Sequence, residues 1–280
     1  MRELSVKNIT NALRKLVISA NTDLAEDVIT ALNKALKNET SPTGREILRQ
    51  IIQNSELARQ EKMPLCQDTG TAVVFLEIGQ EVQLTEGSLT EAVNAGVARG
   101  YAEGFCRKSI AGDPLGRQNT GDNTPAVIHT EIVPGEQVKI GLLTKGGGAE
   151  NKSAVRMFRP TATIAEIEAF IIETISSAGP DACPPLIVGV GIGGNFDSVT
   201  TLAKKALLRP VGQHHSAADI AKMEKELLIK ANQLGIGPMG LGGRTTALAV
   251  NIERQPCHIS SLPVAVNIEC HAHRFKQIVL

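Results

Sequence analysis

Apolar residues recur at helical spacing along the first sixty positions. Val6, Ile9, Leu13, Leu16 and Val17 fall on one face, and stretches 22–36 and 43–62 repeat the pattern, with Ser41 and Thr43 placed as N-caps. Pro64 ends this helical block. Beyond it the period shortens. TAVVFLEI at 71–78 predicts a strand and 89–103 a helix, while PAVIHTEIV at 125–133 and QVKIGLL at 137–143, joined through Pro134 and Gly135, predict a hairpin. A helix follows at 163–177, then a buried strand at 185–190 that runs into glycines. Helices at 197–209 and 216–234, the second capped by Ser216, and strands at 245–252 and 264–268 complete the chain. With no internal repeat or low-complexity stretch, the order predicts one mixed α/β domain over 1–280. Residues 1–62 form its helical N-terminal segment and 63–280 its mixed-sheet core.

Charge and composition narrow the function. The 280 residues carry 29 Lys plus Arg against 29 Asp plus Glu, a net charge of zero, so neither nucleic acid nor an anionic membrane is an expected partner. Six Phe, one Tyr and no Trp leave no aromatic platform for stacking bases. The N-terminus is charged and amphipathic, without the apolar core of a secretory signal, and the apolar run 184–190 is far too short to span a bilayer. A soluble, cytoplasmic protein is expected, where cysteines serve metal or catalysis more often than disulfides.

Glycine makes up 26 residues, above the usual share, and two segments fit G-x-G-x-x-G: GVGIGG at 189–194 and GIGPMG at 235–240. Neither supports a dinucleotide site. The first is not followed by a second strand ending in an acidic residue, and the second follows a helix and contains Pro238. KGGGAENKS at 145–153 places Asn151, not glycine, before Lys152, which excludes a phosphate-binding Walker loop. Its three consecutive glycines, 146–148, permit close backbone approach to a small anion.

Five cysteines cannot all pair within the chain, and no C-x-x-C spacing occurs, which excludes a redox dithiol or a zinc ribbon. Cys66, Cys183 and Cys270 each stand where an element stops. Three dispersed thiolates could hold a cluster with one iron open to substrate, although buried cysteines also act simply as small hydrophobes. Cys257, Cys270, His271 and His273 form a second possible metal set.

The motif blocks PLCQDTGTA (64–72), NTGDNTPA (119–126), KGGGAENKS (145–153), ACPPLIVGVGIGG (182–194), LAKKALLRP (202–210), LGIGPMGLGG (234–243) and CHISSLPVAVNIECHAHR (257–274) resemble the iron–sulfur hydro-lyases. That family comprises the class I fumarases and the related L-tartrate dehydratases, and the resemblance runs from about residue 10 to 275 in the family's order. It implies a 4Fe–4S cluster on Cys66, Cys183 and Cys270, around which the loops of the mixed-sheet core converge, with Cys106 and Cys257 as bystanders. It also implies that Gln67, Arg107 and Gly148 contact substrate, that Asp68 assists the catalytic base, and that His258 is an active-site histidine. His271 and His273 are expected behind the ligands or at an interface.

The chain ends soon after the third cysteine block, as do the family's α subunits. The resemblance therefore implies an α subunit active only with a β subunit, in a heterodimer or heterotetramer, on a small dicarboxylate. KGGGAENKS and NTGDNTPA look like the fumarase versions, so reversible hydration of fumarate to (S)-malate is expected first. Dehydration of L-tartrate to oxaloacetate is the alternative, and a non-catalytic metal-binding scaffold subunit the second alternative.

Overall fold

The computed structural model describes all 280 residues, and they divide into two compact units. The first comprises residues 1–25, 54–147 and 274–280; the second comprises 26–53 and 148–273. Both mix helices with sheets, as the periodicities predict.

In the first unit, β1 (Arg2–Ser5) pairs with β3 (Val82–Thr85), and α1 (Val6–Thr22) is capped by the Ser5 side chain on Lys7 N–H. A four-stranded sheet has the order β10 (Phe275–Val279), β5 (Val138–Lys145), β2 (Thr71–Gly79), β4 (Val127–Val133). Both strands of the expected hairpin form, yet they do not pair with each other: β2 lies between them, parallel to β4 and antiparallel to β5. Burial explains the order. Five consecutive buried residues, 72–76, suit β2 to the interior of the sheet, whereas β4 leaves Ile132 exposed and takes the edge. α4 (Leu89–Glu103) packs with α1 and this sheet in one apolar core containing Leu13, Val17, Val74, Val93, Val97, Tyr101 and Leu142.

In the second unit, α2 (Glu26–Asn38) leads to α3 (Pro42–Glu61), whose Gly44 N–H is capped by Ser41 Oγ at 3.1 Å. The division between the units falls within α3. The sheet has the order β6 (Ala154–Phe158), β9 (Leu262–Glu269), β7 (Leu186–Gly194), β8 (Ala247–Cys257). α6 (Ile164–Ala178) begins with a capping box between Thr163 and Glu166, while α8 (Ala218–Gln233) starts without the Ser216 side-chain cap expected for it. β7 continues through the glycines rather than stopping at them. A Cβ on Gly189 would lie 2.2 Å from Ala203 O and one on Gly191 2.5 Å from Val199 O, so these glycines let α7 (Ser198–Ala206) lie directly on the strand. That use of the first G-x-G-x-x-G segment is structural. No helix is long and apolar enough to cross a membrane.

Candidate active site

Cys66, Gln67 and Asp68 stand on the loop between α3 and β2, in the first unit. The chain there is tied down residue by residue. Leu65 N–H donates to Asn21 O at 2.8 Å, and Asn54 Nδ2 donates to Leu65 O at 2.9 Å. Arg274, almost fully buried, donates from Nη1 to Asp68 O at 2.5 Å and to Asn21 Oδ1 at 3.3 Å. The Tyr101 hydroxyl lies 2.8 Å from both Thr69 O and Gly70 O, and Asn123 Nδ2 donates to Gly70 O at 3.1 Å. The Asp68 carboxylate accepts Gly70 N–H on one oxygen at 3.1 Å and Gly147 N–H on the other at 2.8 Å. A buried loop without such partners would leave polar backbone groups orphaned at a cost of about 1–3 kcal/mol each.

The same network reaches the next expected residue. Thr69 Oγ1 donates to Arg107 O at 2.8 Å, and Ser109 N–H donates to Asn123 Oδ1 at 2.7 Å. The Arg107 backbone is thereby fixed to the loop carrying Asp68, and its side chain is exposed. The first unit thus brings Cys66, Gln67, Asp68 and Arg107 onto two adjoining loops. Gln67 is exposed, and its Oε1 accepts from Cys66 Sγ at 3.5 Å.

In the second unit, Cys183 follows a 3-10 turn at 179–182 and adopts a left-handed φ of 54°. Its carbonyl accepts His271 N–H at 3.3 Å and lies 2.9 Å from His271 Nδ1, so that ring nitrogen carries the proton it donates. Cys270, at the end of β9, is therefore one residue from a direct backbone bond to Cys183. Gly148 is close by: a Cβ there would lie 3.4 Å from Asp181 O, and Lys152 Nζ pairs with Asp181 at 2.6 Å. His258 is elsewhere. β7 pairs through Ile187 with Glu269 of β9 and through Gly194 with Cys257 of β8, so Cys183 and Cys270 stand at one end of the sheet and His258 at the other. At ~3.3 Å per residue the nine residues of β7 separate those ends by about 25 Å. His258 is exposed, with Nδ1 2.7 Å from Ser260 Oγ.

The five thiols differ accordingly. None forms a disulfide; Cys66, Cys183 and Cys270 are partly exposed at loop ends. Cys106 is buried, and that burial pushes its thiol up to about 11, which keeps it protonated at neutral pH. Cys257 is exposed at the far end of the sheet, with Sγ on Ser261 O at 3.2 Å, so the second metal set of Cys257, Cys270, His271 and His273 does not assemble. No three His, Cys, Asp or Glu side chains gather closely enough to hold a single metal ion.

Tyr101, Asn123 and Arg274 were not expected from the sequence. Asn123 and Arg274 stand inside motif blocks, but nothing local marks them. Tyr101, the chain's one tyrosine, lies in an apolar helix face. Burial raises its phenol well above the ordinary range, against the opposing pull of nearby Arg274.

The chain matches the family model described as fumarate hydratase (Fumerase) over residues 10–279. A Methanocaldococcus jannaschii protein, provisionally named an L(+)-tartrate dehydratase subunit alpha, is 43% identical over 272 residues, covering 95% of each chain. The L(+)-tartrate dehydratase subunit alpha of Escherichia coli is 30% identical over 276 residues, covering 98% of this chain and 91% of its own. The chain belongs to the fumarate hydratase family of hydro-lyases, in the branch of the class I fumarate hydratase and tartrate dehydratase α subunits.

Proposed function

We propose that this chain is the α subunit of a 4Fe–4S hydro-lyase that dehydrates L(+)-tartrate to oxaloacetate together with a β subunit. The observation that carries the substrate is the name of its relatives, tartrate dehydratase α subunits matched over nearly the whole chain. The family's own description favours fumarate, the substrate expected first, and keeps hydration of fumarate to (S)-malate as the second reading. In the dehydration direction both reactions remove a proton from the carbon beside a carboxylate and expel the hydroxyl from its neighbour. With tartrate the product is an enol that tautomerises to oxaloacetate.

The residue roles follow the family resemblance. Cys66, Cys183 and Cys270 would hold the cluster, which supplies an open iron as Lewis acid for the departing hydroxyl. The exposed Arg107 guanidinium would take one substrate carboxylate in a two-point contact, and Gln67 and the Gly148 backbone would take further oxygens. Asp68, held by two backbone N–H groups, would orient the base that removes the proton. His258, separated from Cys183 and Cys270 by the length of the sheet, would serve a site from another chain of the assembly. The β subunit would supply the remaining groups, and a cytoplasmic setting suits the reduced thiols.

The test is anaerobic kcat/KM of the co-expressed α/β complex on L(+)-tartrate, D-tartrate, (S)-malate and fumarate. Preference for L(+)-tartrate upholds the proposal. Preference for malate and fumarate replaces it with the second reading, and turnover by the cluster-loaded α chain alone refutes the need for a β subunit.

A further inference from the structure

Three consecutive carbonyl groups, those of Asp68, Thr69 and Gly70, turn inward onto buried donors. Arg274 Nη1 meets the first at 2.5 Å, the Tyr101 hydroxyl meets the second at 2.8 Å, and the third takes both that hydroxyl at 2.8 Å and Asn123 Nδ2 at 3.1 Å. A planar trans peptide points its N–H away from its C=O, so the N–H groups of Thr69 and Gly70 face the opposite side. There the Gly70 N–H meets Asp68 Oδ1, and the second carboxylate oxygen rests on Gly147 N–H. The direction of the Asp68 carboxylate is thus set by how the three carbonyls are held.

On the opposite side the turn has no slack. Gly70 adopts φ +75°, and a Cβ there would lie 2.6 Å from both C and O of Lys145 at the end of β5. On the helix side Tyr101 supplies the constraint. Its side chain is fully buried in the core with Val93 and Val97, so the hydroxyl cannot follow the turn if the turn drifts.

We propose that Tyr101 is a positioning residue for the hydro-lyase reaction: its buried hydroxyl, lodged between the Thr69 and Gly70 carbonyls, fixes the turn that aims the Asp68 carboxylate. The proposal rests on the assignment of Asp68 to the reacting centre under the proposed function. Tyr101 itself is fully buried among apolar side chains. It acts through the backbone.

The experiment compares Tyr101→Phe with Val93→Ala in the intact α/β complex, the latter a core change in the same helix, with both thermal stabilities measured. Removing the hydroxyl is expected to lower kcat by about tenfold or more while KM stays within about twofold, because a loosened aim costs the chemical step rather than binding. Amide hydrogen exchange over residues 66–70 is expected to quicken by about tenfold in Tyr101→Phe and not in Val93→Ala. Unchanged exchange at 66–70, kcat within about twofold of wild type, or an equal kcat loss in Val93→Ala each overturns the proposal. A wild-type complex inactive on tartrate, malate and fumarate instead defeats the functional reading, and exchange then decides the turn alone. Should Tyr101→Phe fail to fold, Asn123→Ser deletes the neighbouring donor to Gly70 O and takes its place. The same kcat loss and quickened exchange are then expected, and the same unchanged values overturn the proposal.

Discussion

Glu224 is the buried charge on which the second unit's helix α8 is fastened to β8. One carboxylate oxygen accepts Arg209 Nη1 at 2.5 Å and Ile252 N–H at 2.8 Å. The other accepts His215 N–H at 2.9 Å and lies 3.4 Å from His214 Nδ1. The side chain has no solvent exposure, and Arg209 is also held by Glu253 and by Ile252 O. Glu224→Gln keeps the shape and removes one acceptor. If the amide oxygen stays with Arg209 and Ile252, the amide N–H₂ faces the His215 N–H, donor against donor. That unsatisfied contact costs about 1–3 kcal/mol, and weakening the bond to Arg209 adds a similar amount, moderated because Glu253 still neutralises the guanidinium. The sum is about 3 kcal/mol. For a unit of this size it lowers Tm by roughly 6–12 °C, read by circular dichroism at neutral pH. A double-mutant cycle of Glu224→Leu with Arg209→Leu should return a coupling of about 1–3 kcal/mol. A Glu224→Gln variant melting within about 2 °C of wild type would refute the reasoning, since the carboxylate would then be replaceable in its buried network.

Serine at Cys66, Cys183 or Cys270 is expected to abolish the visible absorbance of the reconstituted cluster, whereas Cys106→Ser and Cys257→Ser retain it; equal behaviour of all five would sink the ligand assignment. Burial holds the Cys106 thiol protonated in the folded chain, so its contribution to stability is complete below about pH 9 and fades as pH rises toward about 11, where the folded thiol ionises. Urea titrations of wild type and Cys106→Ala across that window test this, the wild type losing the greater stability with rising pH. The Tyr101 phenol, also raised by burial, should show no tyrosinate absorbance near pH ~10 until the protein unfolds. Gly240→Ala places a Cβ 2.2 Å from Pro180 Cβ at a φ of +75°, pushing the 238–240 turn off the segment leading to Cys183. The expected loss is about 2 kcal/mol or more, with a fall in bound iron, and unaltered iron content and urea midpoint would contradict it.

How far the chain announces its own structure differs element by element. The α4 boundaries at Leu89 and Glu103 match the periodicity to the residue, and the Thr163 capping box appears where a local signal announces it. Strands β1, β3, β6 and β10 carry no such signal because each is only four or five residues long, too short for alternation to stand out. The cysteines at element ends were visible as a set, and burial then separated Cys106 from the partly exposed three.

The sequence by itself determined the helices and longer strands, the α/β class and the family, because periodicity, caps and motif blocks are local properties of the chain. Tertiary structure decided what local signals cannot encode. The apparent hairpin opened to admit β2, because strands buried along their length, β2 and β5, take the interior of the sheet and the exposed β4 its edge. The glycines of the first G-x-G-x-x-G segment seat a helix rather than a phosphate, and His258 stands a sheet's length from Cys183 and Cys270. The turn bearing Asp68 is held by Tyr101, Asn123 and Arg274, the last of them 206 residues away from the carbonyl it grips. Such partners share no period or motif with the residues they fix; only the folded chain brings them together.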